Sequence, residues 1–189
     1  YDPHDSFTGK KIEEYTMDLN GFTILQKTKN QYTLKDVAPP QTKDVNEVLQ
    51  RIFFLLREMS EFTLTTLTTR NTQAYSALSS MEINLNRLAY LCLRIINRNG
   101  LLEYHRNNSL YRILTLFEEI GDHYRRIIKR ATNSPQRIGQ DVLHSLQTIQ
   151  TLFFNLQQLY LTYTEHQAHA FYAAYKPLGD ALLNLQPKN

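Results

Sequence analysis

A chain of 189 residues and 22.2 kDa, 42% hydrophobic and 21% charged, carries enough apolar surface to fold without disulfides or structural metal, and its composition excludes wholesale disorder. No apolar run approaches the roughly 20 residues of a membrane span, the most useful one being Leu88–Leu93, and no secretory leader pattern opens the sequence. The net charge of +3 is mild beside the basic footprint of a nucleic-acid-binding domain.

The chain opens at Tyr1 rather than Met, which reads as a fragment or a processed form. Residues 41–134 hold 13 basic and 9 acidic groups, so the excess charge is central, clustering at Arg125, Arg126, Lys129 and Arg130. Cys92 is the only cysteine and stands between Leu91 and Leu93. A small core residue in a reducing compartment, the cytoplasm, is the expectation.

Residues 1–40 read as the tail of an α+β segment. Ile12, Tyr15 and Leu19 follow helical spacing after a cap at Ser6 or Thr8, and Asn20-Gly21 stops that helix. Phe22–Lys27 and Gln31–Lys35 then predict a hairpin, with Phe22, Ile24, Tyr32 and Leu34 alternating and Lys29-Asn30 turning. Ala38-Pro39-Pro40 breaks the chain. A helix and a lone hairpin do not stand alone, so more of this segment is expected upstream.

Beyond Pro40 the period is helical. Asp44 with Glu47 forms a capping box, and the stripe from Val45 to Phe62 predicts a helix over 44–68. Asn71 or Thr72 caps the next, over 72–98, whose stripe runs from Ala74 through Ala77, Leu78, Leu85, Leu88 and Cys92 to Ile96, with Asn99-Gly100 ending it. Asn107, Asn108 and Ser109 are candidate caps for a third helix over 109–131, striped by Leu110, Ile113, Leu114, Phe117, Ile120, Tyr124, Ile127 and Ile128. Ser134-Pro135 opens a fourth, running to about 164 through Ile138, Val142, Leu146, Ile149, Phe153, Leu156 and Tyr160. A fifth spans 168–185 and bends near Pro177.

Short loops make consecutive helices antiparallel neighbours. The expected fold is therefore mainly α: an up-down antiparallel bundle with an N-terminal helix and hairpin. Its expected divisions are 1–40, a three-helix bundle over 41–133 and an incomplete second bundle over 134–189. The fourth helix carries only Arg137 and Asp141 as charges from Ser134 to Tyr163, which predicts self-association around Leu152, Leu156 and Leu159.

No phosphate-cradling glycine loop, nucleophile elbow or paired CxxC is present. His166 and His169, at i and i+3, are spaced for a shared metal but fall in the expected interhelical segment. The pairs Glu82/Asn86 and Glu118/Asp122 are each spaced i and i+4. In an antiparallel hairpin they reach about the same height and bring four oxygen-bearing side chains together, a donor set for a hard or intermediate divalent ion or iron. A solvated face, with Glu118 and Glu119 paired to Arg87, Arg125 or Arg126, is the plainer reading of the same spacing. The basic cluster at 125–130 favours the C-terminal end of its helix dipole, each cation by ~0.3–1 kcal/mol, and its arginine forks also suit a phosphate or a partner's acidic group.

Phe117-Glu-Glu-Ile-Gly-Asp-His123 resembles the signature segment of PhoU proteins, and Met81-Glu-Ile-Asn-Leu-Asn-Arg-Leu88 stands where that family carries its preceding acidic motif. Gly21 to Val37 resembles the strand pair before the helices of archaeal-type members. The resemblance spans roughly residues 12–131. The chain departs from the pattern at Asn86, an amide in place of a carboxylate, and at Thr115, where an arginine usually stands; Lys176 and Asp180 lie near the expected place of the repeat's first motif.

The resemblance implies three-helix units with iron or zinc sites at Glu82, Asn86, Glu118 and Asp122. It also implies negative, non-enzymatic regulation of phosphate uptake and homeostasis, through contact with the phosphate transporter's ATPase or a sensor kinase rather than by catalysis. The alternative is the sensing or dimerising half of an archaeal transcription regulator, with DNA bound only by an upstream AbrB-like region. A small carboxylate-bridged metalloenzyme is disfavoured, because no Glu-x-x-His pair sits on facing helices.

Overall fold

Apolar stripes repeating every three to four residues are buried only when helices lie against one another, and the chain does this along most of its length. The computed structural model describes residues 11–16, 22–28, 31–36, 45–69, 74–99, 104–134 and 138–184. A short helix α1 covers residues 11–16. Strands β1 (Phe22–Lys27) and β2 (Tyr32–Asp36) follow, then helices α2 (Val45–Thr69), α3 (Ala74–Asn99), α4 (Tyr104–Asn133), α5 (Gln140–Leu161) and α6 (Glu165–Asn184). The fold is mainly α with a small N-terminal helix and hairpin, as the sequence predicts. The expected caps and breaks at Ser6, Thr8, Asn20-Gly21, Lys29-Asn30, residues 38–40, Asp44, Asn71, Thr72, Gly100 and Pro135 lie outside the described residues.

Two compact units divide the chain, one of residues 1–52 with 80–122 and the other of residues 53–79 with 123–189. In the first, Val48, Leu49, Ile52, Leu85, Ala89, Cys92, Ile95, Leu114 and Phe117 form the core. Within it α3 and α4 are antiparallel: the Tyr111 hydroxyl donates to the Asn97 side chain, and Glu82 faces Glu118 and Asp122. The hairpin pairs Ile24 with Leu34 and Lys27 with Tyr32, with an irregularity between Ile24 and Gln26. That extra residue breaks the expected alternation, leaving Leu25 and Leu34 exposed while Phe22 and Ile24 stay half-buried. The Arg94 guanidinium lies 4.6 Å from the Phe22 ring centroid, and Lys27 pairs with Glu13 of α1.

In the second unit the core is Phe53, Leu56, Met59, Thr63, Leu67, Leu78, Tyr124 and Ile128. Threonines crowd the last turns of α2, although β-branching makes them poor helix formers. Their hydroxyls turn back onto the helix, Thr63 to the Met59 carbonyl at 2.7 Å, Thr65 to Glu61 at 2.9 Å and Thr69 to Thr65 at 2.8 Å, so a buried Thr63 leaves no hydroxyl unsatisfied. The Phe53 ring centroid lies 5.6 Å from that of Phe153 and 5.2 Å from that of Tyr160, while Arg57 stacks at 5.2 Å on Phe154. This order sets α5 antiparallel to α2.

Three helix starts differ from the sequence reading. Helix α4 begins at Tyr104 and runs through the expected caps Asn107, Asn108 and Ser109. A capping side chain offers only a local alternative to the helix and does not by itself compel a helix to start. Helix α5 begins at Gln140, with extended Gly139 as its N-cap, so Ile138 precedes it and Ser134 does not open it. The Gly139 carbonyl accepts the Val142 and Leu143 amides, each at 3.2 Å. Helix α6 begins three residues early because Thr164 acts as its N-cap. The Thr164 hydroxyl accepts the Gln167 backbone amide at 3.2 Å and donates to Gln167 Oε1 at 3.0 Å.

The buried faces are also narrower than the apolar stripes. Ala77, Ile113 and Val142 are exposed, Leu88 is half-buried, and no residue of α5 is fully buried. Pro177 lies within α6, which continues through it.

Candidate functional site

Helices α3 and α4 of the first unit place three carboxylates and one amide against each other. Glu82 and Asn86 are one turn apart, and the Asn86 side-chain amide donates to Glu82 Oε1 at 2.7 Å. Glu118 and Asp122 are likewise one turn apart on α4. Burial raises the Glu118 carboxyl above its ordinary value of 4.5, and the negative charges of Asp122 and Glu82 raise it further. Glu118 Oε1 is buried without a hydrogen-bond partner among the described residues. Gly121, between Glu118 and Asp122, is buried. The antiparallel pairing thus brings Glu82, Glu118 and Asp122 within electrostatic reach of one another, as their spacing predicts.

The chemistry of this set is that of hard oxygen donors, which suits a divalent cation. Its geometry is not a ready-made cage. Among the described residues no group of three His, Cys, Asp or Glu side chains is arranged to hold a metal ion. Asn86 spends its amide on Glu82, so its contribution to an ion is the single amide oxygen.

The basic residues belong to the second unit. Arg125 is half-buried and donates through Nη1 to the Tyr75 hydroxyl at 3.4 Å; Arg126, Lys129 and Arg130 are exposed. Tyr75 is shifted below the usual phenol value by hydrogen bonds from Arg125 and Ser79 and by the positive charges of Arg125 and Lys129. Sequence spacing along α4 does not reveal Tyr75 or Ser79 as neighbours of this cluster, because both come from the first turns of α3.

The other candidates resolve simply. Cys92 is completely buried, and burial pushes its thiol up to about 12, which makes it inert. His166 and His169 stand in the first turns of α6 rather than in an interhelical segment, both exposed, with His169 Nε2 4.0 Å from Glu165 Oε1. No helix among the described residues is long and apolar enough to cross a membrane. No family model matches the chain, and no curated protein or solved structure is significantly similar to it.

Proposed function

We propose that the chain is a non-enzymatic regulator that works by protein–protein contact, and that the process it regulates is phosphate uptake. The observation that carries this reading is the convergence of Glu82 on α3 with Glu118 and Asp122 on α4, because these residues lie in the two segments that resemble the PhoU motifs. The hairpin preceding the helices, at Phe22–Asp36, has the place it holds in archaeal-type members of that family. The non-enzymatic reading rests on the same resemblance, since members of that family act by contact rather than by catalysis.

Iron or zinc, the ions the resemblance implies, would be held by Glu82, Glu118 and Asp122, with the Asn86 oxygen as a neutral fourth donor. Such an ion would supply charge and rigidity to the α3–α4 surface. Exchanging a carboxylate for Asn86 removes one negative charge and the capacity to bridge two metals, so a single weakly held ion is the expectation. Glu118 must release its proton to act as a ligand, which couples any binding to pH.

The cytoplasmic ATPase of the phosphate transporter and a sensor kinase are the partners this reading names. Affinity capture of the tagged chain from phosphate-replete native cells tests it. Recovery of either partner, lost on Glu118→Lys, is the expected result; recovery of neither contradicts the reading.

A further inference from the structure

The second unit gathers positive charge toward the end of α4. Arg125/Lys129 and Arg126/Arg130 are like-charge pairs at i and i+4, an arrangement that destabilises a helix. The helix dipole offsets this only in the last turn, where Arg130 is the basic residue. No Asp or Glu occurs among residues 123–133 of α4, 74–79 of α3 or 62–69 of α2. The acids nearest along these helices are Asp122, three residues before Arg125; Glu82, three after Ser79 and held by the Asn86 amide; and Glu61, paired with Arg57 at 2.9 Å. Tyr75 and Ser79 of α3 meet this cluster. Arg125 Nη1 donates to the Tyr75 hydroxyl at 3.4 Å, the Ser79 hydroxyl donates to the same oxygen, and Lys129 lies within electrostatic reach. A phenol oxygen that accepts two hydrogen bonds has its own proton left to give. The positive charge around it makes that proton more acidic than an ordinary phenol's. Tyr75, Ser79 and Arg125 are half-buried and Lys129 is exposed, so the group is partly desolvated yet open to solvent.

We infer that Tyr75, Arg125 and Lys129 form a binding site for a phosphoryl group, either free phosphate or a phosphate monoester. The choice of anion follows from charge and donor count. A carboxylate brings one charge and two coplanar oxygens. A phosphoryl group brings nearly two charges and three strong acceptor oxygens. The Arg125 fork matches two of those oxygens, which leaves the Tyr75 proton and the Lys129 ammonium for the third. A bound dianion also relieves the repulsion between the like charges along α4. The site uses none of the carboxylates of the regulatory reading and stands or falls independently of it.

Calorimetric titration of the full chain at neutral pH and constant ionic strength, with inorganic phosphate and with phosphoserine to about 10 mM, brackets a millimolar site. Saturable uptake of at least one is expected: of phosphate alone for a free-ion site, of phosphoserine as well or instead for a group carried on a larger molecule. Arg125→Gln should weaken it about tenfold or more, and Lys129→Gln severalfold. Arg112→Gln, which removes the same charge from an exposed position earlier on α4, should leave it unchanged. Carbon-13 labelling of the tyrosine Cζ atoms reads the site in the parent chain, with the Tyr75 signal assigned by its loss in Tyr75→Phe. Saturation with phosphate or phosphoserine, whichever binds, should raise the pH at which Tyr75 ionises, because a dianion beside it disfavours the phenolate. No saturable uptake of either compound, acetate bound as well as they are, affinity indifferent to Arg125→Gln, or a Tyr75 midpoint unmoved at saturation would overturn the site.

Discussion

Asn86 donates its amide to the Glu82 carboxylate at 2.7 Å, one turn away on the same helix. The bond gives Glu82 a neutral partner in a place where two further carboxylates, Glu118 and Asp122, approach from α4. An aspartate at position 86 would instead add a fourth negative charge to a half-buried cluster. Asn86 therefore favours the metal-free form of the site.

Asn86→Asp is expected to lower stability at neutral pH in metal-free buffer and to raise affinity for divalent ions. Glu118→Gln and Asp122→Asn should lower that affinity. Calorimetric titration with ferrous, zinc and manganese ions, beside urea melts in chelator, checks both signs. Absence of saturable uptake by the parent and by Asn86→Asp would reduce the cluster to a packing feature.

The proton linkage of Glu118 has a definite direction. Its folded pKa lies above its ordinary value, so its contribution to stability is fully present below that value and is lost as pH rises through the raised one. Glu118→Gln is thus expected to raise the melting temperature at pH 7 and to flatten the stability profile just above 4.5. A parent and variant with parallel profiles across that window would contradict the assignment.

Leu85 is fully buried, whereas Leu88, one turn further along the same apolar stripe, is half-buried. Leu85→Ala should cost ~2–5 kcal/mol through lost burial and a residual cavity. Leu88→Ala should cost clearly less. Equal losses in urea melts would mean that the stripe faces inward differently.

Most of the fold was legible in the sequence because apolar periodicity is a physical requirement for packing helices. The stripes of α2, α3 and α4 mark the helices whose buried residues form the two cores. Helix boundaries were less legible. Three asparagine or serine caps lay before Leu110, yet α4 runs through them; Thr164 caps α6 by accepting the Gln167 amide, which the apolar pattern alone overlooked. In the hairpin, one irregular residue at Leu25 defeated strict alternation. At the site, helical spacing placed Glu82, Glu118 and Asp122 together, since antiparallel helices of known rise fix relative height. Spacing says nothing about which way an amide turns, so the Asn86–Glu82 bond emerged only from the structure. The Tyr75–Arg125 contact, between residues 50 apart, was invisible for the same reason.

Thr164→Ala should shorten α6 from its N-terminal end. Loss of the cap is expected to cost ~0.5–2 kcal/mol, read as faster amide exchange at Gln167 and Ala168 with the two cores unchanged. Unaltered exchange in that turn would show the Thr164 cap to be dispensable.

The central claim is regulation of phosphate uptake, and radiolabelled phosphate uptake by native cells lacking this chain measures it most directly. Cells lacking the chain are predicted to keep taking up phosphate when it is plentiful, with restraint restored by the parent chain but not by Glu118→Lys. Uptake identical with and without the chain, in both plentiful and scarce phosphate, would contradict the account.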